Sequence, residues 1–107
     1  MANLAAVIDS CAQNGTVPVL ATIPPRGFDK SKQEGERRYN EAVIALCREK
    51  KVPVSYCFEE MMEYDLKQVL GDGVHLVPSS GNDIAGQALA RTMEQVYFAL
   101  RDTCAAW

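Results

Sequence analysis

A chain of 107 residues with a formal net charge of -3 has room for one small core, which buries only about two thirds of the surface the unfolded chain exposes. Hydrophobic residues at 48% and charged residues at 23% give an ordinary globular composition, which argues against disordered or collagenous chains. No apolar run reaches the roughly 18 residues that span a bilayer, and lysine and arginine gather nowhere densely enough to neutralise a row of phosphates, so nucleic acid is not an expected partner.

Met1 to Val7 lacks the basic n-region of a signal peptide. A chain that starts partway through a domain would have lost its leader, so the compartment stays open. Over residues 3–14, Leu4, Val7, Ile8 and Cys11 recur at helical spacing, and Asn14-Gly15 supplies a left-handed stop. Residues 17–23 (VPVLATI) form a short, nearly continuous apolar run closed by Pro24-Pro25, the pattern of a strand buried on both faces. The polar stretch 26–35 reads as an exposed loop. Tyr39, Ala42, Val43, Leu46 and Cys47 then make the apolar stripe of a helix over residues 36–50.

Residues 52–58 (VPVSYCF) repeat the Val-Pro-Val opening, so strand, helix and strand predict a βαβ unit with parallel strands. A short helix is expected within residues 59–70, then a loop over 71–81 containing the single histidine. Asn82 is the expected cap of a last helix whose stripe is Ala85, Leu89, Met93, Val96 and Leu100, widened by Ile84 and Tyr97. Two strands among three helices leave open sheet edges and uncovered helices, so residues 1–107 read as one partial α/β domain belonging to a larger sheet.

The four cysteines, Cys11, Cys47, Cys57 and Cys104, include no Cys-x-x-Cys pair, and neither zinc nor dithiol chemistry is expected. The first three fall in predicted core elements and read as buried free thiols. The chemically suggestive stretch is Asp72-Gly73-Val74-His75. A carboxylate three residues before an imidazole can accept the Nδ1 proton, fix the tautomer, and leave Nε2 as a base toward a hydroxyl nucleophile. On spacing alone the plainer reading is a solvated turn.

The context of D-G-V-H, after the last strand and before a terminal helix, resembles the last conserved block of the SGNH (GDSL-type) hydrolases. The upstream order, VPVLATIPP, then NEAVIAL, then VPVSYCF, is similar as well, so essentially the whole chain is covered. The resemblance implies the C-terminal half of a three-layer α/β/α, flavodoxin-like sandwich with a parallel sheet. It also implies a serine ester hydrolase acting on a small-molecule ester such as an acylated lipid or sugar, with no cofactor and no metal. His75 would be general base and then general acid, and Asp72 its orienting carboxylate.

The family's Gly-Asp-Ser block and its two oxyanion blocks have no counterpart here. The nucleophile would then come from a missing N-terminal half or a partner chain, and this chain alone is expected to be nearly inactive. Asp9-Ser10 sits in a predicted helix, while Ser79 and Ser80 suit a turn and cap better than a nucleophile elbow. Asn82-Asp83 lies after the histidine block rather than in an oxyanion strand, and Leu76-Val77-Pro78 departs from the small polar residue and proline usual after the family's histidine. Arg26, past the first strand, is a candidate cleft residue for substrate, with an exposed loop arginine as the simpler account. A metal site at Asp72, His75 and Asp83 has too few ligands. The alternative function is a non-catalytic α/β module that pairs through its open sheet edge.

Overall fold

The computed structural model of the chain describes residues 1–28, 30–70, 75–77 and 80–103, with all of their side chains except those of Lys32, Asp102 and Thr103. The elements run α1 (Ala2–Gln13), β1 (Leu20–Ala21), α2 (Lys30–Lys50), β2 (Val54–Ser55), α3 (Cys57–Met61), α4 (Leu66–Val69) and α5 (Gly81–Thr103). The strands pair in parallel, Leu20 with Val54 and Ala21 with Ser55, so β1, α2 and β2 form a βαβ unit. No helix among the described residues is long and apolar enough to cross a membrane.

Both helices that feed a strand stop by the same device. Gly15 (φ 72°) and Lys51 (φ 57°) are left-handed. Around them the amides of Gly15 and Thr16 donate to Ala12 and Cys11, and those of Lys51 and Val52 donate to Arg48 and Cys47, the two bonds of a Schellman motif. Lys50 Nζ reaches the Asp9 carboxylate at 3.0 and 3.1 Å, joining the end of α2 to α1. Of α1's residues only Ile8 is buried; Val7 is exposed and Cys11 half-buried. The expected burial of Cys11 is thus corrected, whereas Cys47 and Cys57 are buried free thiols and Cys104 lies outside the described residues.

Several element boundaries differ from expectation, and the one short helix expected within residues 59–70 is two, α3 and α4. The apolar run 17–23 pairs over two residues only, and Ala21 and Ile23 are exposed, because β1 meets one neighbour in a two-stranded sheet and is not covered on both faces. The expected loop 26–35 is instead largely helix, since α2 starts at Lys30. Gln33 is buried and its Nε2 donates to Gly27 at 3.3 Å, while Glu36 accepts the Arg26 amide at 2.8 Å, so polar side chains tie this first part of α2 to the preceding loop. The second apolar run also divides: Cys57 and Phe58 leave the strand and open α3.

The densest packing lies where α3 and α5 meet. Phe58, Met61, Val69 and Leu70 are all but sealed from solvent, and the Arg37 guanidinium caps the Phe58 ring at 5.4 Å. The last helix starts at Gly81, one residue before its expected cap, and Asn82 is exposed within the first turn. A close approach sets that start: a Cβ on Gly81 would lie 2.4 Å from the Val69 carbonyl oxygen and 2.9 Å from Leu76 Cβ. The inward face of α5 is built from small residues, Ala88 and Thr92, while Leu89, Met93 and Tyr97 of the expected stripe are exposed. Small side chains bring the helix close enough for Thr92 Oγ1 to lie 3.4 Å from the Val54 carbonyl on the outer side of β2.

Candidate functional site

In a parallel ladder alternate residues turn their backbone groups to opposite sides. The amides of Leu20 and Thr22 donate to Pro53 and Ser55, so Ala21 and Ile23 turn theirs away from β2. At Ile23 the buried Asn40 carboxamide takes both groups, accepting from the amide at 2.8 Å and donating to the carbonyl at 3.1 Å. The outer edge of β1 is thereby closed at its C-terminal end and open at Ala21. Sequence reasoning passed over Asn40. Its signal was a polar residue three and seven positions before Val43 and Cys47, on the buried face of α2.

Just past the strands, the buried Thr22 hydroxyl accepts the Phe58 amide at 3.0 Å and donates to Glu59 Oε2 at 3.1 Å. One side chain of the first strand segment thus holds the opening turn of α3. The Cys57 thiol is pushed above its ordinary pKa by burial, and further by the Glu59 and Glu60 carboxylates. Burial raises that of Cys47 too. A thiol held neutral in this way is a poor nucleophile. Ser55 is also unsuited, since its hydroxyl is sealed from solvent.

His75 is exposed, and the Leu76-Val77 segment that follows it is firmly anchored. Leu70 and Leu76 form an antiparallel bridge, Val77 donates to Val69 at 2.8 Å, Gly81 donates to Val77 at 2.8 Å, and Ser80 Oγ donates to Gln68 at 2.8 Å. The buried Val69 and Leu70 anchor this segment. Gly81 backs onto Val69, and it stands about 16 Å along the α5 axis, at 1.5 Å per residue, from Thr92 beside β2. The C-terminal half of α5 shares a groove with Val52 and Pro53 at the start of β2, so its N-terminal turn, with Leu76 against Gly81, points to the side of the sheet's C-terminal end, on which open parallel sheets bind ligands.

Asp72 and Ser79 lie outside the described residues, so the expected pairing of Asp72 with His75 does too. Arg26 lines a cavity of about 480 Å³ at the end of β1, with Pro24, Pro25, Glu36 and Tyr39; His75 is not among its lining residues. Ser10 is exposed within α1, with its carbonyl accepting from Asn14 Nδ2 at 2.7 Å, and so has none of the geometry of a nucleophile elbow. No group of three His, Cys, Asp or Glu suited to a metal ion occurs among the described residues. No protein-family model matches the chain, and no curated protein or solved structure matches it.

Proposed function

We propose that this chain supplies the histidine half of a serine ester hydrolase of the SGNH type, within a three-layer flavodoxin-like sheet that further strands complete. The observation that carries the reading is the exposed His75 next to the Leu70–Leu76 bridge, on the side of the parallel strand pair's C-terminal end. Asp72 would accept the Nδ1 proton, and Nε2 would take the proton of a serine hydroxyl as it attacks the ester carbonyl, then return it to the leaving alcohol. That serine comes from outside these 107 residues. The cavity beside Arg26 is the candidate place for part of a small ester substrate.

The test is p-nitrophenyl acetate hydrolysis by this chain and by a form extended upstream, each beside its His75→Ala and Asp72→Asn variants. The proposal expects activity in the extended form alone, with losses of about 10³-fold or more for His75→Ala. Activity unchanged by His75→Ala, or none in either form, would sink it.

A second reading has its own support. The open edge of β1 at Ala21 and the exposed α5 stripe of Leu89, Met93 and Tyr97 suit a non-catalytic module that recruits a strand from another chain. A concentration-dependent mass in sedimentation, with the Ala21 amide protected from exchange only in the associated state, would favour it.

A further inference from the structure

A groove of about 610 Å³ follows the outer edge of β2, between the end of α2 and the C-terminal half of α5. Val17, Val52, Val54, Val96 and Leu100 give it an apolar floor and walls, and Tyr56, Thr92 and Gln95 add two hydroxyls and a carboxamide. Its charged lining residues among those described are Arg48 and Lys51, both cations from one rim. In a chain with net charge -3 this is a local reversal of sign. Both side chains are exposed, and among the described residues neither forms an ion pair. Lys51 moreover holds a left-handed position, φ 57°, that glycine would occupy without strain.

Volume, lining and charge together match a small-molecule site: a few hundred cubic ångströms, mostly apolar, with a small number of polar groups to orient the ligand. We infer that this groove binds an anionic amphiphile with a single alkyl chain, a fatty-acid carboxylate, its chain along Val52, Val54 and Val96 and its head at Arg48 and Lys51. The apolar floor alone would accept any alkyl chain. The paired cations select the carboxylate through charge-assisted hydrogen bonds. The inference does not depend on the hydrolase reading.

The experiment is calorimetric titration of the whole chain with dodecanoate below its micellar concentration, with 1-dodecanol and acetate as comparison ligands. It is paired with amide shift mapping and sedimentation. Dodecanoate should bind saturably and move the amides of Val17, Val54, Val96 and Leu100. Dodecanol should bind about tenfold or more weaker, acetate should not bind detectably, and the exposed double variant Arg48→Glu, Lys51→Glu should lose about tenfold or more of the dodecanoate affinity. Equal binding of dodecanol, affinity unchanged in the double variant, or shifts mapping elsewhere would overturn the inference. So would a dimer that occludes these amides and that the double variant dissociates, which would make a second copy the occupant.

Discussion

The first and last helices are both amphipathic, yet they attach to the molecule in different ways. The first helix buries Ile8 and is tied down by the Asp9–Lys50 pair, with Val7 left exposed. The last sets Gly81 against α4 and Thr92 against β2, buries Ala88 between them, and leaves Leu89, Met93 and Tyr97 in solvent. Attachment here follows how closely the backbones approach, and the largest apolar side chains mark the faces left uncovered.

Changes at the α3–α5 junction should therefore dominate stability. Phe58→Ala removes a sealed ring and the surface on which Arg37 rests, and should cost about 3–5 kcal/mol in urea unfolding; a loss below about 1 kcal/mol would show that the junction is not the core. Ala88→Leu forces α5 off its neighbours and should cost about 1–3 kcal/mol, although it adds apolar surface. Lys51→Gly runs the other way: relief of the left-handed strain should raise the unfolding free energy measured in urea by up to about 1 kcal/mol. Smallest of all, Val7→Ala and Met93→Ala, each 57% exposed, should stay within about 0.5 kcal/mol of the parent. A large loss at Met93 in a concentration-dependent melt would mean that its face is covered by association.

Much of this contrast was legible in the sequence, and the exceptions have physical causes. Asn14-Gly15 marked the end of α1 because a left-handed residue leaves a compositional trace; Lys51 performs the same function with none. The strand pair was readable from two Val-Pro-Val runs. Where the second run turns helical was not, since a continuous apolar stretch looks alike in a buried strand and in the first turn of a buried helix. The start of α2 was hidden by polar residues whose bonds, Gln33 to Gly27 and Glu36 to Arg26, exist only after folding. In α5 the apolar stripe indicated a helix but misplaced its packed face, because Ala88 and Thr92 carry little hydrophobic signal.

Within the candidate site, composition singled out His75 because it is the only histidine, and Arg26 because it follows a strand. Asn40 and Thr22 organise the ends of the strands through backbone bonds, which no residue-type pattern announces.

The proposed hydrolase depends on one contact above all, that of the Asp72 carboxylate with the His75 ring. The measurement that addresses it most directly is the ¹⁵N spectrum of the His75 imidazole near pH 8, in the parent chain and in Asp72→Asn. The account predicts that the ring holds its N–H on Nδ1, and that the balance shifts toward the Nε2–H tautomer when Asp72 no longer carries a charge. An Nε2–H ring in the parent, unchanged by Asp72→Asn, would contradict it.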